Sequence, residues 1–206
     1  MIKMKIHKTS RQVLIFHPLV LITADGWSSP NDIKEFQAWK IPHDTYAIAR
    51  SIQLLDDPVE HWGDVDSDPA VWVAGNLKAK DRDGNTPLRH TLGPQKNFDV
   101  DWDIAEGVFW EPSEVLWHGS SALFAVLCCI AMGYEKLVLA GAPLDGKGHW
   151  YYTDVPGPKW TCETYQAWFE FAACSEAQMV KSMSGYTAQL LGKPPKDWFL
   201  NAECGE

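Results

Sequence analysis

The chain is short of positive charge, of cysteines at metal-binding spacing and of long apolar runs. Lys and Arg number 18 against 27 Asp and Glu, a net charge of −9. Phosphate backbones are held by clustered Lys and Arg, so this balance argues against duplex nucleic acid as the main partner. It leaves small anionic ligands, which backbone N–H groups can hold. No run reaches the roughly 18 apolar residues of a membrane-crossing helix. The five cysteines, Cys128, Cys129, Cys162, Cys174 and Cys204, contain no C-x-x-C. An odd count without ligand spacing points to reduced thiols and a cytoplasmic setting.

What is present suits a single α/β domain spanning residues 1–206: 46% hydrophobic and 22% charged residues, enough to bury a substantial core. Eleven Trp are many for this length; core is their ordinary use, and a stacking surface or interaction patch the alternative. The stretch 115–141 organises the rest. An apolar run leads into the turn His118-Gly119-Ser120-Ser121, then about three turns of apolar helix, a stop at Gly133, and a second apolar run ending at Gly141. A helix apolar around most of its surface, set between two such runs, is buried against a parallel sheet. The turn then lies at a strand's carboxyl end and a helix's amino end, where free N–H groups and the helix dipole attract a phosphate or carboxylate. A tight turn with a serine cap is the plainer reading of the same residues.

Basic residues at 3, 5, 8 and 11 precede the apolar residues 13–24, the order of a signal peptide, but His17-Pro18 breaks the run. Residues 19–23 read instead as the first strand, entering the loop Asp25-Gly26-Trp27-Ser28. Ser29 suits an N-cap and Pro30 a first helical position, opening a helix over 31–39. Residues 45–49 read as a second strand followed by Arg50, whose guanidinium either pairs on the surface or grips an anion. A third strand is expected over 70–74, closing at Asn76, a ligand-contact candidate by its place past a strand end. Asp64, Asp66 and Asp68 alternate as oxygen ligands do, yet lack the Gly and terminal Glu of a calcium loop, and turns and caps explain them. Residues 77–106 read as a long loop insertion carrying Lys78, Lys80, Arg82, Arg89 and Lys96, either a lid or a solvated loop. Asp99 to Asp103 reads as an Asp-rich turn, and 108–110 as a short edge strand.

Past Gly141 the loop gathers Asp145, Lys147, His149, Trp150 and Tyr151 beyond a strand's carboxyl end, where open α/β sheets bind ligands. His149 has the chemistry of a general base or acid. Thr161 would cap a helix of about twenty residues, 162–183, whose apolar stripe is core or a homo-oligomer face. The tail through Glu206 reads as peripheral.

Residues 115–145 resemble a Rossmann-like group that includes the bacterial sialyltransferases of glycosyltransferase family 42 and the 6-hydroxymethylpterin pyrophosphokinase-like domain. These share a small Ser/Gly turn, an Ala-rich helix and Gly-Tyr-Lys before a strand ending Gly-x-Asp. The resemblance implies a three-layer α/β fold, with a mostly parallel sheet and helices on both faces. It implies a nucleotide or nucleotide sugar across the strand ends, at the loops of Asp25, Gly26 and Ser28 and of His118, Gly119, Ser120 and Ser121. Arg50, Asn76 and Tyr151 are ligand candidates by position, and His149 with Asp145 are catalytic candidates by their own chemistry, since the family's base is a histidine farther along. The departures are one glycine where the family's first loop has two, and Pro143 where it has Asp. Those favour an alternative, a catalytically silent relative of phage or prophage type that serves in binding or assembly. A third reading, pyrophosphoryl transfer to a pterin, would need Mg²⁺ on Asp145 and the Asp64 cluster.

Overall fold

The computed structural model describes residues 4–63, 79–92, 98–104, 120–151 and 162–202. Its centre is three strands buried on both faces: β2 (Leu19–Thr23), β3 (Asp44–Ile48) and β7 (Lys136–Ala140). Such runs belong to parallel sheets covered on both sides, and β2 pairs in parallel with β3 on one side and β7 on the other. Five further strands extend the sheet: β1 (Met4–Thr9), β4 (His61–Gly63), β5 (Leu88–Leu92), β6 (Val100–Ile104) and β8 (Val180–Ser182). The order is β1-β6-β5-β4-β3-β2-β7-β8. Seven strands are parallel, and β1 closes one edge antiparallel to β6.

Helices cover both faces, in a three-layer Rossmann-like arrangement. α1 (Ser29–Gln37) places Ile33 and Phe36 on Leu19, Leu21, Val138 and Ala140. α2 (Ser121–Met132) lies on the opposite face, against Val20, Ile22, Leu137 and Leu139, as the two-residue period of a strand requires. Each fully buried Leu, Phe or Val on α2 contributes roughly 1.5–3 kcal/mol. Gly133 ends α2 at φ 104°, a left-handed cap. α3 (Cys162–Ala172) adds Ala167, Trp168 and Phe171 to the α2 side, and α4 (Gly185–Leu191) follows β8.

Several elements differ from the sequence reading. The expected loop at 77–106 carries β5 and β6, because polar residues such as His90 and Asp101 sit inside strands. The twenty-residue helix over 162–183 stops at Ala172, and Val180–Ser182 turns instead into an edge strand beside β7. The described part of the tail is docked at Phe199, which is buried against α1, edge-on to Phe36. α1 begins one residue after Ser28, and the Ser29 hydroxyl donates to the carbonyls of Ala24 and Gly26 instead of capping. The strands expected over 70–74 and 108–110 and the cap at Thr161 lie outside the described residues.

A chain of side-chain hydrogen bonds crosses the α2 face of the sheet. Trp102 Nε1–H, which can only donate, bonds His90 Nδ1 at 2.9 Å. That fixes the proton of His90 on Nε2, directed at His61 Nδ1 at 3.0 Å. His61 Nε2–H then meets the Tyr134 oxygen at 2.9 Å, and the Tyr134 hydroxyl donates to Asp44 Oδ2 at 2.9 Å. Each donor in the sequence Trp102, His90, His61, Tyr134 finds one acceptor only if both histidines are neutral. Burial enforces this, pushing His61 down to about 3 and His90 well below its ordinary value.

Candidate functional site

The chain moves from β2 through α1 to β3 on one side, and later returns through α2 to β7 on the other. The carboxyl ends of β2 and β7 are therefore the point where the strand order reverses, the place where open α/β sheets take ligands. Two loops meet there. Ala24 N–H donates to Ala140 O and Gly26 N–H to Gly141 O, both at 2.8 Å, and Trp27 N–H donates to Gly148 O at 2.9 Å. Gly26 also forms a β-bridge with His149. A Cβ on Gly26 would lie 2.4 Å from Gly141 O and from Pro143 Cδ, so the glycine serves the contact between loops. The amides of Gly26 and Trp27 are spent on carbonyls, so neither is left for a ligand.

Those side chains converge. Asp25 is buried; its Oδ2 accepts the Arg50 backbone N–H at 3.1 Å and a long contact from the Tyr151 hydroxyl at 3.5 Å. The Arg50 guanidinium lies 4.7 Å over the Tyr151 ring, and His149 stacks on Tyr151 with centroids 5.2 Å apart and planes 5° from parallel. His149 Nδ1 is 3.2 Å from Asp25 O. A carbonyl only accepts, so Nδ1 carries a proton and donates there. Two non-glycine residues with left-handed backbone flank the crevice, Ala49 at φ 47° and Leu144 at φ 49°. Such conformations cost on the order of 1 kcal/mol each and gather at functional sites.

Other expected site residues do anchoring work. Asp145 accepts the Trp27 indole N–H at 2.8 and 3.0 Å and pairs with Lys147 at 3.4 Å, while Lys147 sits 4.3 Å over the Trp27 ring. That makes Asp145 the latch between the loops. Ser28 donates to Asp32 Oδ2 at 2.9 Å, and the same oxygen accepts Ser184 Oγ at 2.5 Å and Gly141 N–H at 2.9 Å. Ser120 is the N-cap of α2; its oxygen accepts from Leu123 N–H at 3.2 Å and from the Trp168 indole at 3.1 Å. Ser121 starts the helix, half-buried, at the same end of the sheet. Asn76, His118 and Gly119 lie outside the described residues, as do Asp64, Asp66 and Asp68.

Sequence reasoning missed Asp32, Ser184 and Trp27. Only Asp32 carried a signal, an acid in the first helical turn four residues after a serine. Among the described residues no group of three or more His, Cys, Asp or Glu side chains could hold a metal ion, and no helix is long and apolar enough to cross a membrane. The chain matches no family model, no curated protein and no solved structure.

Proposed function

We propose that the protein binds a small anionic ligand of the nucleotide or nucleotide-sugar class over the carboxyl ends of β2 and β7, and transfers a sugar to a hydroxyl acceptor in the manner of the sialyltransferases its central segment resembles. One observation carries the reading: among the described residues no carboxylate pairs with the Arg50 guanidinium, which Tyr151 holds beside His149 at the crevice. A half-buried cation fixed on an aromatic face is a place for a phosphate or carboxylate. His149 Nε2 takes the proton of the acceptor hydroxyl, whose oxygen attacks the anomeric carbon. The nucleotide phosphate leaves with the bonding pair, its charge met by Arg50.

A second reading, binding without turnover, is favoured by the spent amides of Gly26 and Trp27 and by the engagement of Asp145. A pterin pyrophosphokinase-like reaction has less support, since its metal would need Asp145. Thermal shift against CMP, CMP- and UDP-sugars, pterins and ATP with Mg²⁺ separates them. CMP- or UDP-sugars should stabilise the wild type, and Arg50→Ala should weaken that binding by about 10- to 100-fold, the range of a charged hydrogen bond. His149→Ala should keep binding and lose turnover. Binding with no turnover in the wild type supports the second reading, stabilisation only by ATP with Mg²⁺ the third, and no stabilisation by any of these ligands overturns all three.

A further inference from the structure

At the opposite end of the sheet from Arg50 and His149, a cavity of about 210 Å³ opens beside the amino ends of β3 and β4. Its floor is Glu60, 3% exposed. Glu60 Oε2 accepts Thr45 N–H at 2.7 Å, while Oε1 is buried without a hydrogen bond. Among the described residues Oε1 pairs with Arg82, whose Nε stands 3.0 Å away and also serves Asp44 Oδ1, at 3.8 Å, another buried oxygen without a hydrogen bond. Two buried carboxyl groups thus share one guanidinium. Burial leaves Glu60 pushed up to about 7 despite Arg82.

The rim adds Asp81 and Asp83, held in a turn by Asp81 Oδ1, which accepts the N–H groups of Asp83 and Asn85. The cation in the lining, Arg11, is already engaged by Thr86 O at 2.7 Å and Asp99 at 3.7 Å. The walls are apolar and open to solvent: Leu14 is 43% and Phe16 39% exposed, with Leu88 behind them. Phe16 is fixed in place by its N–H, which donates to Asp44 Oδ2 at 2.8 Å.

Among the described residues, an acid floor where two carboxyl groups share one guanidinium, an acidic rim and solvent-exposed apolar walls describe one kind of guest. We propose that this cavity binds a small molecule that joins a protonated amine to an apolar body, the ammonium seated against Glu60 and the body against Leu14, Phe16 and Leu88. The ammonium supplies an aligned hydrogen bond to Glu60 Oε1, which Arg82 at 3.0 Å pairs with but does not hydrogen-bond, and the body covers the apolar walls.

Benzylamine is the probe, with benzyl alcohol and benzoate as its neutral and anionic isosteres and ammonium chloride as the bare cation, titrated at pH 8 and followed by NMR of the Leu and Phe side chains. Benzylamine should give saturable shifts at Leu14, Phe16 and Leu88, and none of the other three should. Glu60→Gln and, at an exposed position that leaves the fold alone, Phe16→Ser should each weaken it about tenfold or more, while Arg50→Ala binds as wild type. Equal binding of benzyl alcohol, the same shifts from ammonium alone, unchanged binding by both variants, or no saturable shift overturns the proposal.

Discussion

His61 and His90 hold their positions by being unable to ionise. Both are fully buried, and the donor-only indole of Trp102 sets the direction of the hydrogen bonds that runs through them to Asp44. Trp102→Phe keeps an aromatic ring there but leaves His90 Nδ1 with no donor. The expected loss is about 1–3 kcal/mol in urea unfolding, the cost of an unsatisfied buried group. His90→Phe removes both of that residue's hydrogen bonds, orphaning the Trp102 N–H and His61 Nδ1 together, and should cost more than Trp102→Phe. Residue chemistry also explains which site candidates were legible. Arg50, His149 and Tyr151 come together because each sits just past a strand end or on the loop facing it. Asp145 and Ser28 have the same signature and went to anchoring, since nothing in the sequence places Trp27 or Ser184 beside them.

At the scale of elements, the glycines separate into those that turn the chain and those that let two segments touch. Gly133 has φ 104° and open space where a Cβ would go, so Gly133→Ala should cost only about 1 kcal/mol. Gly141 has φ 78° and a Cβ there would lie 1.9 Å from Ser29 Oγ and 2.6 Å from Ala24 O. Gly141→Ala should therefore destabilise by several-fold more in the same denaturation experiment, and weaken the ligand binding proposed at Arg50 as the two loops part. The strands β2 and β7 and the helix between the central runs are legible because their apolar runs are unbroken. β5 and β6 escape notice for a physical reason: Val100, Asp101 and Trp102 alternate as a strand should, but an aspartate every second residue has the composition of a turn. The short β8 hides behind a helix whose apolar periodicity continues past its true end.

The whole molecule should be acid-labile, and the sign follows from its buried groups. Below about 6.5 the unfolded chain takes up protons on His61 and His90, whereas the folded chain does not, so stability falls with pH through that value. His43, also lowered by burial, acts in the same direction. Glu60 opposes them: folded it keeps its proton to about 7, unfolded it releases it near 4.5, so its contribution is present in acid and lost as pH rises. His61 and His90 against Glu60, with His43 adding to the loss, leave a net loss on the order of 1.4 kcal/mol per pH unit or somewhat more between 6.5 and 4.5. Glu60→Gln should roughly double that slope, read from urea midpoints at each pH. A flat profile would mean that the histidines are charged and the hydrogen-bonded chain is broken.

The antiparallel edge has a consequence in time. Met4 pairs with Ile104, so during synthesis the strand that ends the sheet exists about 100 residues before its partner does. At ribosomal speeds of roughly 5–20 residues per second, it waits on the order of 5–20 s with its backbone donors and acceptors unmatched. Through that interval it is a template for a neighbouring nascent chain, and crowded polysomes are where this protein would first go astray.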